Sequence, residues 1–236
     1  MVALPASIPL NSPEPAGSVA PQQVASPADI RFRTLIGETA WAELPEPVRR
    51  RFSKRLSPGE TVVYRGAVVA TQLTRAGRML AFVTRVIGAP LPLTDGATGP
   101  ATVIVAEDAA MGGQSWLRIY ARPGQRPQAI HSCKRFCGPT GLEEYIGYGI
   151  GMSLRVSVEE RALLFRSSGY FLALGRWRWN IPSLLQPGRM CIVHRDEGAG
   201  TFSFSLEVEH ALFGVMVRQV ALFADDASMA AAHHPA

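Results

Sequence analysis

Lysine is almost absent from these 236 residues: Lys54 and Lys134 stand alone against 22 arginines, which are scattered along the chain. Scatter argues against the dense positive patch or stripe that nucleic-acid recognition needs, so a net charge of +5 brings no expectation of a specific nucleic-acid partner. The one concentrated run is Arg49, Arg50, Arg51, Lys54 and Arg55, just ahead of Pro58. It reads as the basic end of a helix complementing its dipole, with contact to an anionic partner as the alternative.

Cysteine is scarce too. Cys133, Cys137 and Cys191 form an odd set, which argues against a disulfide scaffold and fits a reducing compartment. Cys133 and Cys137 have no second pair or neighbouring His to complete a familiar zinc spacing, and His233 and His234 are too few for a site of their own, so no metal is expected. No run approaches the ~20 apolar residues of a membrane span. A cationic start followed by an apolar run, the mark of a secretory signal, is also missing. The expectation is a cytoplasmic protein without a cofactor.

Charge is missing from the N-terminal stretch as well. Residues 1–29 are rich in Pro, Ala and Ser and carry only Glu14 and Asp29, so they bury too little to offset the entropy of ordering and read as a disordered tail. The stretch 225–236 reads as a second tail. Between them, 30–224 has the length and the 47% hydrophobic content of one domain.

That domain opens with helical periodicity: Phe32, Leu35, Ile36, Ala40 and Trp41, then Pro45 and Pro47, then a short helix ending near Phe52. The period switches to two over 61–70, a strand, and back to helical over 73–87. Leu73, Ala76, Met79, Leu80, Val83, Val86 and Ile87 make a broad apolar arc on the helix over 73–87, opposite Arg75, Arg78 and Arg85, among which Phe82 falls. The arc is expected to seat on a sheet with its arginines in water; alternatively, the arginines make a weak contact with an anionic membrane surface.

From Ala101 onward the pattern is β. Strands are expected at 102–106, 115–121, 128–136, 151–158, 161–167, 169–179, 189–195, 201–209 and 215–223, separated by turn chemistry such as Arg-Pro-Gly-Gln at 122–125. Short connections make successive strands antiparallel, and several alternate cleanly, as Phe202, Phe204, Leu206 and Val208 do against Ser203, Ser205, Glu207 and Glu209. The fold class is α+β, mainly antiparallel: a curved sheet or incomplete barrel of about ten strands with one packed amphipathic helix.

Within it, Trp116, Arg118 and Tyr120 share one strand face, either as an apolar ligand-binding wall with a single cation or as a wet surface. Gly147, Gly149 and Gly151 share a face if the chain there is extended, leaving bare backbone for the close approach of a ring, a helix or a ligand. Candidate acid and base groups are Lys134, Glu143, Glu144, Tyr145, His194 and Asp196. Thr140 and Glu143 also have the spacing of a capping box that would start a short helix, and Asp196 lies two residues past His194, as an orienting carboxylate would.

The segments Val63–Gly66, Lys134–Phe136, Gly138–Tyr145, Gly149–Met152, Phe165–Phe171, Pro187–Gly188, His194–Asp196 and His210–Gly214 resemble the bacterial family called domain of unknown function 4166, over residues 30–224. The resemblance implies no defined activity; it does imply members that stand alone or are joined to reductase-like nucleotide-binding domains. The chain has Ala211 where the family usually has Pro, and Val215 where it usually has an acid. Three functions follow as expectations: binding a small hydrophobic or acyl-type ligand in the concavity, catalysis by a polar cluster at the pocket mouth, or peripheral attachment to membrane or protein.

Overall fold

The structure, a computed structural model, describes residues 28–86, 91–92, 94–121, 124 and 126–225. Of the tails expected at 1–29 and 225–236, residues 1–27 and 226–236 lie outside the described residues. At the described boundaries, Ala28 bridges Lys54, and Asp29 and Asp225 are both buried.

Three short helices lead in: α1 (Arg31–Ile36), α2 (Glu38–Glu43) and α3 (Glu46–Phe52). Gly37, at φ +84°, separates the first two, and Pro47 sits in the first turn of α3, where its missing N–H has no helical partner to lose. The basic run does close a helix: Arg49, Arg50 and Arg51 form the last turn of α3. Then come β1 (Thr61–Leu73), α4 (Arg75–Val86), β2 (Gly99–Asp108), β3 (Gly113–Tyr120), β4 (Gln128–Arg135), β5 (Glu143–Gly147), β6 (Ile150–Glu159) and β7 (Ala162–Leu174). The chain finishes with β8 (Trp177–Asn180), a single 3-10 turn (Ser183–Leu185), β9 (Arg189–Gly198), β10 (Thr201–His210) and β11 (Gly214–Ala224).

Ten of these strands close a ring. Neighbours run β1 to β7 in chain order, then β9, β10 and β11, and β11 returns to β1. Every pairing is antiparallel. The β6–β7 ladder runs from Ile150↔Leu172 to Glu159↔Ala162, and β7–β9 covers Leu163↔His194 to Arg166↔Cys191. The barrel expected to be incomplete is therefore closed, which leaves no exposed edge in the ring. β8 is the extra strand. It pairs only with the second half of β7, Phe171↔Asn180 to Leu174↔Trp177, beyond the point where β9 begins.

Three local expectations change. Glu143 starts a strand and not a helix: Arg135↔Glu143 and Glu143↔Ser153 pair it on both sides, so the capping-box spacing is overridden by tertiary pairing. The break expected near residue 168 is a bulge inside β7, and the true break comes at Gly175. The third change concerns α4. Its buried face is Gly77, Ala81 and Thr84, while Met79, Phe82, Val83 and Val86 are exposed. Small residues let the helix lie close to the backbone of β11, and the bulky ones turn outward.

The two ends of the barrel differ. Phe32 and Phe52 enter one end and meet Phe165 edge-on or tilted at 6.0 and 5.9 Å between centroids; Phe52 also meets His194 at 5.1 Å. Arg31 fixes this plug by pairing with Asp29 and with Glu107 at the end of β2. Across the other end lies α4. One apolar cluster runs between them, from Phe32 and Phe52 to Leu73 and Met216, a second gathers around Tyr64, Trp116 and Phe202, and each fully buried large apolar side chain contributes about 1.5–3 kcal/mol.

A β-carbon on Gly77 would collide with the Met216 carbonyl oxygen of β11. An ordinary helix interior gains up to about 1 kcal/mol from Gly→Ala, but here overpacking should reverse the sign. Gly77→Ala should lose roughly 1–2 kcal/mol in urea denaturation. A stabilised variant would contradict this seating of α4.

Candidate binding site inside the barrel

The inward faces enclose a cavity of about 180 Å³ that reaches from the barrel centre to Leu80 and Thr84 of α4. Its wall is mostly apolar, with Trp116, Ile130, Met152, Phe165, Phe204 and Leu206 prominent. The period-two alternation places them there. Trp116, Arg118 and Tyr120 all line the cavity from β3, so this face turns to the interior and not to water.

The single cation expected on that wall is instead part of a charged trio. Arg118 donates to Ser132 Oγ at 3.0 Å and to Glu144 Oε1 at 3.2 Å, and Lys134 Nζ lies 3.1 Å from the same oxygen. Ser132 also donates to it at 2.6 Å. Glu144 Oε2 is buried and has no hydrogen-bond partner among the described residues. Lys134 Nζ and the Arg118 guanidinium sit 4.5 and 5.7 Å from the Trp116 ring centre, so the indole takes part of the positive charge on its face. Sheet register assembles the trio: Trp116 pairs with Ser132 across β3–β4, and Lys134 with Glu144 across β4–β5.

Burial pushes the Lys134 ammonium down to about 8, only partly opposed by Glu144. Burial acts on Glu144 in the opposite sense, but Lys134 and Arg118 outweigh it and hold the carboxyl at about 2. At neutral pH the interior therefore carries two cations and one carboxylate, a net charge of +1 in an apolar cavity. Among the described residues Arg118 uses two of its five N–H donors, on Ser132 and Glu144.

The other candidate groups do not converge here. His194 and Asp196 are at the plugged end, in the same barrel, with Arg51 between them: Arg51 bonds His194 Nε2 at 2.9 Å and Asp196 at 2.9 Å, and reaches Asp225 at 3.3 Å. The expected His–carboxylate pair is thus replaced by an Arg51 bridge. Burial first, then Arg51, lowers the His194 pKa well below the usual imidazole range. Arg51 as donor assigns the neutral tautomer with the proton on Nδ1, and that atom has no partner among the described residues. Glu143 and Tyr145 point away from the cavity. Glu143 is buried under Gly138, accepts from Tyr145 Oη at 3.0 Å and lies 2.7 Å from Arg178 of β8.

Nor do the three glycines form an extended floor. Tyr148 (φ +48°) and Gly149 (φ +77°) make the β5–β6 turn, so the run bends between Gly147 and Gly151. A β-carbon on Gly151 would meet the Phe171 ring, which is the close approach of an aromatic to bare backbone. None of the three lines the cavity. No group of three His, Cys, Asp or Glu is gathered as a metal-ligand set among the described residues.

Ser132 and the pairing of Lys134 with Glu144 escaped sequence reading, though a signal was there. Gly124 lies midway between the paired Tyr120 and Gln128, and counting outward from it sets Lys134 opposite Gln114. Phe52, which crosses from a lead-in helix into the barrel, had no such signal.

The architecture defines a class: a closed ten-stranded antiparallel barrel with a charged spot in an apolar interior and a helix at one end. Residues 44–223 match the family model described as Domain of unknown function (DUF4166), and the chain belongs to that family. No curated protein and no solved structure matches it.

Glu144→Gln should strand two cations inside the barrel and cost about 3–5 kcal/mol in denaturant unfolding. Adding Lys134→Met should return part of that loss. A Glu144→Gln variant within about 1 kcal/mol of wild type would show that the trio is solvated and not buried.

Proposed function

We propose that the barrel binds a hydrophobic molecule ending in an anionic group, with a fatty acid as the type case. The observation that carries this reading is the net charge of +1 held by Arg118, Lys134 and Glu144 within an apolar cavity of about 180 Å³. An apolar chain entering there leaves water, as benzene does in an engineered cavity of ~150 Å³. A carboxylate beside Arg118 and Lys134 cancels the excess charge and takes up free guanidinium donors. Preorganised walls make this cheaper: Trp116 and Phe204 already meet edge to face at 6.3 Å. The three free cysteines suit a reducing compartment, which supports a cytoplasmic setting.

Titration of the protein with a medium-chain fatty acid, followed by tryptophan fluorescence, tests the reading, because Trp116 is in the wall. Saturable binding with one site per chain is expected. Arg118→Ala should keep the fold and weaken binding by ~1.5–3 kcal/mol through loss of a charged hydrogen bond. The pH dependence has a definite sign. As pH rises through about 8, Lys134 loses its proton and the interior charge falls from +1 to zero, so affinity should fall. Absence of saturation, or Arg118→Ala binding as tightly as wild type, would refute the proposal.

A further inference from the structure

The barrel end under α4 carries a set of exposed apolar side chains that the interior does not use. Phe82 and Val86 of α4 are 69% and 73% exposed, and Met79 and Val83 lie beside them. With 100° per residue, Phe82, Val86 and Met79 fall within about 60° of one another, opposite the Gly77–Ala81–Thr84 face seated on the barrel. The helix thus turns its larger apolar residues to solvent.

The same end continues the patch strand by strand. α4 follows β1, whose last residue Leu73 pairs with Val217 of β11. The β10–β11 turn next to it presents Leu212 and Phe213. The 3-10 turn leading into β9 presents Leu184 and Leu185, at 87% and 75% exposed. Past the start of β9, β8 on the edge of β7 presents Trp177 and Trp179, stacked with ring planes 10° apart. The sequence β1, β11, β10, β9, β7 is an unbroken arc of the ring, and strands lie about 4.8 Å apart. Contiguous exposed apolar surface of this kind marks an interaction site.

Its charge selects the partner. Segments 74–86, 173–189 and 211–217 contain no Asp or Glu. They carry Arg75, Arg78, Arg85 and Arg176 on the exposed side, with Arg176 over the Trp177 ring at 5.2 Å. Among the described residues none of these four arginines forms an ion pair with a carboxylate; Asp95 accepts from the Leu73 N–H, Glu143 faces Arg178, and Glu209 lies opposite Arg189 in the β9–β10 ladder. Apolar and indole side chains among unopposed arginines are complementary to an anionic bilayer surface, where the rings enter the headgroup layer and the cations meet lipid phosphates. No helix among the described residues is long and apolar enough to cross a membrane, so this is attachment at the interface.

We infer that the protein docks on anionic membranes through this end, with α4 and the Trp177–Trp179 pair against the lipid and the cavity facing the bilayer. The cavity reading adds a purpose, since lipid is then both surface and source of ligand, but docking stands on the surface alone.

Flotation with vesicles of phosphatidylcholine containing about a third phosphatidylglycerol tests it on the full chain. Binding is expected at low salt and should largely vanish at ~0.5 M NaCl, where screening is short-ranged. Replacing Arg75, Arg78 and Arg85 together by Gln should reduce partitioning on the order of a hundredfold. Trp177→Ser with Trp179→Ser should reduce it at least tenfold. All five positions are outside the cavity, so both variants should bind soluble fatty acid as wild type does. No flotation at low salt, equal flotation with pure phosphatidylcholine, or unaltered partitioning of the Arg variant would each overturn the inference. Failure of fatty-acid binding with flotation intact would count against the cavity reading alone.

Discussion

Ring closure through β6 and β7 is the constraint on which the other features depend. Once those strands pair from Ile150↔Leu172 to Glu159↔Ala162, every inward side chain of ten strands is cut off from bulk water at its flanks. Apolar residues then contribute their full burial, and any charge turned inward must be matched by another. Arg118, Lys134 and Glu144 meet that demand except for one positive charge. The same closure brings Lys134 down to about 8 by taking its ammonium out of water, and it sets Lys134 and Arg118 against Glu144, whose carboxyl they hold at about 2 despite its burial.

The ends of the barrel then take different roles. At one, Phe32 and Phe52 fill the opening and Arg51 binds His194, Asp196 and Asp225 together, so that end is a structural plug. Neutral His194 among aromatic rings belongs to this plug. At the other, α4 rests through Gly77, Ala81 and Thr84, a light seat that leaves its bulky residues outside. The two ends of the barrel are thus closed in different ways, one by packed aromatic rings and a buried ion cluster, the other by a single helix.

Much of the strand plan was legible because period-two alternation and Pro/Gly turns are local signals. The inward set Phe202, Phe204, Leu206 and Val208 could be read directly. What was not legible came from partners distant in sequence. Glu143 and Glu144 sit next to a capping-box pattern, and only pairing with Lys134 and Met152 makes them strand residues. Their side chains then part, Glu144 into the barrel and Glu143 outward, so two adjacent candidate acids serve two environments. α4 misled for a related reason: hydrophobicity alone chose its seat, whereas the close approach of the β11 backbone required Gly77 and Ala81. Even the charge of the cavity, Lys134 and Glu144 beside Arg118, was visible only as separate candidates.

Carbon-13 spectroscopy of a carboxyl-labelled fatty acid in the presence of the protein bears most directly on the claim that the trio holds an anion in an apolar interior. The bound carboxyl should give one resonance, distinct from free acid, and its shift should stay constant as pH falls through the usual carboxylate range, because Arg118 and Lys134 keep it ionised. A resonance that titrates like the free acid, or no bound resonance at all, would contradict it.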